Sequence, residues 1–314
     1  MLILQQMTAF LIFIILGYYI RKKGILDEKG SSGIAWIVAN VANPALIISG
    51  AVNAQESLSA RQVLTILGLG TAVYGGLIVL SFLLPCLLKR KGAERQAYRN
   101  IFLFSNVGFM GFPLLSAMLG SYAVFYASIF TIPFNILLYT LCLWNFRQTR
   151  SGKGSKRTKK TGWKNFLNVG VLACVLALVL NFTRPQLPGF VKTVITNLAN
   201  LTAALSMMNI GMFLVKIRKR ELLTDGKLML ASLIKLLVIP VAGTALFALL
   251  IRDATLVTIA MVVLATPMAS MVAILAEQYK HENRLETKAV ALTTILSVVT
   301  IPAVSEILKL FGVM

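Results

Sequence analysis

The chain has 314 residues, 57% of them hydrophobic and only 13% charged, with a mean hydropathy of +0.80; soluble domains carry roughly a quarter charged residues, so water is not its main solvent. A formal net charge of +20 would point to nucleic acid in a soluble protein. Here the basic residues fall in short runs between apolar stretches of about 20 residues, so the partner they imply is a lipid bilayer and not nucleic acid. Cys86, Cys142 and Cys174 lie inside apolar stretches without metal-ligand spacing, and His281 stands alone in a charged loop, so the cysteines read as small hydrophobes and no metal or other cofactor is expected.

Apolar segments run at about 2–20, 32–50, 62–88, 100–120, 122–146, 165–182, 190–215, 228–251, 254–276 and 288–311, which predicts an all-α integral membrane protein of ten transmembrane helices. The first segment lacks the basic start of a secretory signal and ends in Arg21-Lys22-Lys23 instead of a cleavage site, so it is expected to stay as a spanning helix. Alternate connections, beginning with the one after the first segment, hold 25 of the 31 Lys and Arg residues. Basic loops are retained on the cytoplasmic side, so both termini of this multi-pass cell-membrane protein should face outward.

The fifth connection, 147–164, is rich in Gly, Ser and Lys and reads as a flexible cytoplasmic linker between residues 1–146 and 165–314. Each part holds five segments, an odd number, so a second copy of the same unit would enter the membrane upside down; two unrelated halves are the other reading.

The fourth segment carries Ser105-Asn106-Val107-Gly108-Phe109-Met110-Gly111-Phe112-Pro113, and the ninth carries Ala265-Thr266-Pro267-Met268-Ala269-Ser270. Each proline removes a donor and frees the carbonyl four residues earlier, Phe109 or Val263, which in hydrocarbon must find another partner. At about 1.5 Å per residue both breaks come near the middle of a roughly 30 Å core and can meet there. Thr266-Pro267 also has the form of a helix start, hydroxyl at the N-cap and proline at the first position. If both helices restart, two N-termini converge and favour an anion. The candidate binding residues are then Asn106, Gly108, Gly111 and Pro113 on the fourth segment, Thr266, Pro267 and Ser270 on the ninth, and Asn43 on the second. Pro44, Pro85, Pro133, Pro240 and Pro302 read as kinks that serve packing.

At these residues the sequence resembles the auxin efflux carrier family, the bacterial relatives of the plant PIN auxin transporters. Asn106 to Pro113 followed by Leu114-Leu115 is similar to the PIN fourth-helix pattern N-x-x-x-M-G-I-P-L-L, and Pro267 followed by Ala276-Glu277-Gln278-Tyr279 is similar to the ninth-helix proline and A-x-E-Y. Gly17-Tyr18, Arg21-Lys22, Gly24-Ile25-Leu26 and Asn43-Pro44-Ala45-Leu46 extend the likeness over the chain. The resemblance implies two inverted five-helix repeats, with scaffold helices 1, 2, 6 and 7 and moving transport-domain helices 3, 4, 5, 8, 9 and 10. It further implies broken helices 4 and 9 crossing at the midplane, an organic anion such as a carboxylate as substrate, and a homodimer through the scaffold helices. By position Asn106 would touch substrate and Pro267 would hold the crossover. Two departures, Ser105 where PINs have proline and Met268 where they have glutamine, argue against auxin itself.

Other intramembrane amides and hydroxyls, Asn40, Asn135, Asn200, Thr202, Ser206 and Asn209, either line a path or hold helices together. Lys235 is the one basic residue well inside an apolar segment. It either snorkels to the cytoplasmic surface, attracts an anionic substrate or replaces a structural cation. All eleven acidic residues fall in loops or near segment ends, which argues against a carboxylate-centred antiporter and leaves uniport and proton cotransport open. No enzyme constellation is visible; the alternative function is a membrane receptor or sensor that binds without transport. Cysteines placed at Ser57 and Ser155 should label from opposite faces of intact cells, Ser57 from outside, and equal accessibility would refute the ten-helix topology.

Overall fold

The computed structural model describes residues 2–54, 57–149, 169–215, 225–278 and 284–313. Most of the linker 147–164, from residue 150 on, lies outside these, as does His281. The described residues are helical with no strand. In chain order the α-helices are α1 (Leu2–Lys22), α2 (Glu28–Ile37), α3 (Asn43–Val52), α4 (Ala60–Leu87), α5 (Gly92–Leu103), α6 (Phe112–Leu119), α7 (Ser121–Phe130), α8 (Ile132–Leu137), α9 (Leu143–Thr149) and α10 (Val169–Thr183). They continue as α11 (Gly189–Leu214), α12 (Gly226–Leu233), α13 (Ile239–Leu250), α14 (Ala254–Ala265), α15 (Ser270–Gln278) and α16 (Arg284–Leu310). Among the described residues, five continuous helical stretches are long and apolar enough to cross a membrane, and α7 with the helix after Thr131, bent by 49°, makes a sixth.

The acidic residues at segment ends have a local task. Asp27, Asp225 and Asp253 each accept a backbone N–H in the first turn of α2, α12 and α14, from Gly30, Leu228 and Leu256. Ser59 and Gln62 form a reciprocal capping box on α4. Such caps satisfy donors that lipid could not.

Several joints between these helices are π turns. Val38–Ala42 joins α2 to α3, Val107–Gly111 leads into α6, and Ile234–Val238 joins α12 to α13. Each ends immediately before a residue that precedes proline: Asn43, Phe112 and Ile239 donate to carbonyls five residues back, and Pro44, Pro113 and Pro240 follow. Proline cannot donate and its ring presses on the preceding turn, so widening that turn by one residue relieves the clash. Pro44 and Pro240 therefore do more than kink a packed helix, because their π turns carry Asn40 and Lys235.

Packing relies on close backbone approach. A Cβ on Gly17 would lie 2.0 Å from the Met208 carbonyl oxygen, and one on Gly211 would lie 1.9 Å from that of Ile14, so α1 and α11 touch through bare backbone. Small residues allow this in membranes, where hydrophobicity does not drive helices together. Gly50 brings α3 against Ser121 and Phe125 of α7, and Gly70 brings α4 against Phe130. Asn181 of α10 clamps the chain ahead of α4, its amide donating to the Leu58 carbonyl and its oxygen accepting from the Leu58 N–H, at 2.9 and 2.8 Å. Apolar side chains such as Leu64, Val79, Leu249 and Val299 face outward, as a lipid-facing surface requires. Gly211→Ala should cost about 1–3 kcal/mol through overpacking and lower the melting temperature in detergent. Gly75→Ala, with nothing within 4 Å of the new methyl, should be neutral or stabilising.

Candidate substrate site at a helix crossover

Both proline-containing breaks seen in the sequence are real interruptions, and they meet. Between α5 and the π turn at Val107, and between α14 and α15, the chain is extended, and Ser105 and Met268 form an antiparallel bridge. The Asn106 N–H donates to the Pro267 carbonyl at 2.8 Å and the Ala269 N–H to the Phe104 carbonyl at 2.9 Å. Each break thus supplies the partners that the other lost on leaving the helix, which is how non-helical backbone survives inside a membrane protein. The Met268 N–H donates to the Thr293 hydroxyl of α16. A Cβ on Gly111 would press on the Val107 side chain at 3.0 Å and make only ordinary contact, at 3.6 Å, with the Thr266 methyl.

The expected helix start at Thr266-Pro267 is corrected by the structure. Thr266 ends α14, its hydroxyl donating back to the Val263 carbonyl, the acceptor orphaned by Pro267. Pro267 lies in the extended crossover, and the helix restarts at Ser270. On the fourth segment the restart comes at Val107, and the Asn106 carbonyl accepts from Met110 and Gly111.

Beside the crossover lies a cavity of about 230 Å³. Its polar lining includes Asn40, Asn43, Ser105, Asn106, Thr131 and Asn135, and Phe109, Phe112, Ile132 and Phe134 supply apolar wall. The first residues of both restarted helices, Val107 and Gly108 on one and Met271 on the other, also reach it. Asn106 is buried and its Nδ2 has no hydrogen-bond partner among the described residues; the same holds for Oδ1 of Asn43. A Cβ on Gly108 would come within 3.5 Å of the Asn43 amide. Buried amide atoms left unpaired beside a cavity are poised for a polar solute or water.

Of the sequence-predicted residues, Asn43, Asn106 and Gly108 line the cavity. Gly111, Pro113, Thr266, Pro267 and Ser270 shape the crossover without lining it. Asn40 and Asn135 are in the wall, whereas Thr202 and Ser206 of α11 are buried away from it and Asn200 is exposed. Sequence reasoning missed Ser105 as a lining residue, although its place beside Asn106 in a broken helix was a usable signal. It also missed the Thr131 break, which Pro133 marks.

Lys235 does not snorkel. It is fully buried, and its Nζ donates to the Ser105 hydroxyl at 2.6 Å and lies 3.5 Å from the Leu264 carbonyl in the last turn of α14. The π turn at Ile234–Val238 places it there, and the C-terminal end of a helix favours a cation.

Thr293→Val should leave the Met268 N–H buried without an acceptor, at a cost of about 1–3 kcal/mol. A lower unfolding temperature with overall helicity retained would be the expected result.

The chain is similar to known proteins over nearly its whole length. Over 313 residues the chain is 24% identical to an uncharacterized transporter of Methanothermobacter thermautotrophicus, covering 97% of this chain and 98% of the relative. Over 297 residues it is 24% identical to an uncharacterized transporter of Methanocaldococcus jannaschii, covering 93% of this chain and 94% of the relative. Residues 2–305 match the family described as Membrane transport protein. That match and the apolar helices identify a multi-pass membrane protein and bear out the resemblance read from the sequence: the chain belongs to the Membrane transport protein family, which includes the auxin efflux carriers.

Proposed function

We propose that the protein is a secondary transporter that carries a small organic anion, a carboxylate, by alternating access, with its binding site in the cavity at the crossover. The observation that carries this reading is the convergence of two helix restarts and the unpaired Asn106 amide on one small cavity. Helix N-termini offer partial positive charge and free N–H groups, and Asn106 adds a side-chain donor. A cavity of about 230 Å³ suits a solute of few heavy atoms; drug-sized ligands occupy roughly 300–1,000 Å³. Family membership favours transport over catalysis.

The architecture we infer is ten membrane helices in two inverted repeats, 1–146 and 165–314. The fourth helix comprises α5 and α6, and the ninth comprises α14 and α15. Packing supports this: the first helix, α1, lies on α11, the seventh, while α3 of the second lies on α10, the sixth. An inverted repeat produces such reciprocal pairs. The scaffold is then helices 1, 2, 6 and 7, and the other six move. The cavity reaches Val169, Gly170 and Val171 in the first described turn of α10, next to the basic linker. With basic connections cytoplasmic, this is an inward-facing arrangement with both termini outside.

Asn106→Ala should weaken carboxylate binding by about 1.5–3 kcal/mol, the usual loss for a hydrogen bond to a charged group, without unfolding the protein. Counterflow in proteoliposomes supplies the functional test: a transporter exchanges internal for external solute, and the variant should exchange more slowly at subsaturating concentration. Binding without exchange would instead identify a receptor or sensor.

A further inference from the structure

Lys235 poses a problem that the fold alone leaves open. Its ammonium is fully buried, and no carboxylate pairs with it among the described residues. A buried cation is costly unless something of opposite charge completes its surroundings. The partial charge at the end of α14 helps, but the Leu264 carbonyl is 3.5 Å away and that contact is weak. The strong contact is to Ser105 Oγ at 2.6 Å.

Ser105 belongs to the cavity wall, next to Asn106, and is itself fully buried. Its hydroxyl accepts from Lys235 and makes no other hydrogen bond among the described residues. A hydroxyl that accepts with its lone pair still has its own proton to donate. A hydroxyl polarised by accepting from an ammonium becomes a stronger donor itself, each bond strengthening the next.

We propose that Lys235 and Ser105 form a charge relay into the binding site: the ammonium donates to Ser105 Oγ, and the Ser105 O–H donates to a carboxylate oxygen of the substrate. Lys235 is thus a positioning and selectivity residue that never touches the solute. Its charge stands about 5 Å from the bound anion, two hydrogen-bond lengths away, where a shielded site transmits it well. The relay deepens the anion reading and rests on it. Ser105 and Asn106 then both act from one short segment of the crossover, and the relay rewards a charged solute over its neutral isostere.

The test uses the purified full-length protein. Acetate, malonate, malate and indole-3-acetate are screened by thermal shift, and the probe with the largest shift is carried forward with its primary amide as the neutral isostere. Wild type should prefer the carboxylate to the amide. Lys235→Met and Ser105→Ala should each weaken carboxylate binding roughly 10–100-fold and erase that preference, whereas Ser105→Thr, which keeps the hydroxyl, should stay within about threefold of wild type. The double variant should bind no more weakly than the worse single variant, since both act through one chain. Wild-type affinity in Lys235→Met, or losses that multiply in the double variant, would overturn the relay while leaving the crossover site standing. If Lys235→Met fails to fold, the serine pair decides: equal affinity in Ser105→Ala and Ser105→Thr overturns the proposal. A wild type that binds none of the four carboxylates overturns the anion reading and the relay together.

Discussion

Two backbone hydrogen bonds, Asn106 N–H to Pro267 and Ala269 N–H to Phe104, hold the arrangement on which everything else depends. Inside a bilayer an interrupted helix has no water to satisfy its open groups, so an isolated break would be expensive. Two breaks lying antiparallel repair each other and leave four helix ends at one place. Their polarity is sorted in space. The restarted helices present their first turns to the cavity, while α14 ends near the buried Lys235. A fixed electrostatic contrast between the two flanks of the crossover follows, with no carboxylate lining the cavity among the described residues.

The apolar packing serves that arrangement. Gly17 and Gly211 fuse α1 to α11 at backbone distance, and Gly50 and Gly70 set α7 against α3 and α4. Aromatic contacts then fill the space beside the cavity: Phe134 meets Tyr74 of α4 at 6.1 Å between ring centres and Phe104 of the crossover at 5.9 Å. A wall built this way can shape a small cavity while the polar groups inside it stay few and placed.

Much of this was legible in the residues. Hydropathy and the alternation of basic loops marked a membrane protein, and the glycines and proline at 105–113 and the proline at 267 located both breaks, because a missing donor in hydrocarbon has few remedies. The caps were legible less well: Thr266-Pro267 had every local mark of a helix start, yet the Val263 carbonyl left open by Pro267 claimed the threonine hydroxyl and moved the restart to Ser270. Local propensity was outweighed by the need to satisfy an orphaned acceptor. The position of Lys235 could be found in the sequence, but its partner Ser105 is 130 residues away, and only tertiary packing joins them.

The π turn at Val38–Ala42 has a consequence for how one helix can serve two environments. A π turn inserts one residue beyond what the α-helical period needs, so the residues after it are rotated by about 100° relative to those before it. Before the turn α2 has no buried residue and turns Trp36 and Ile37 outward; after it eight of the ten residues of α3 are buried. No single helical wheel describes residues 28–52. The same continuous segment is lipid-tolerant at one end and sterically exacting at the other, so substitutions a few residues apart on one apparent face meet opposite solvents.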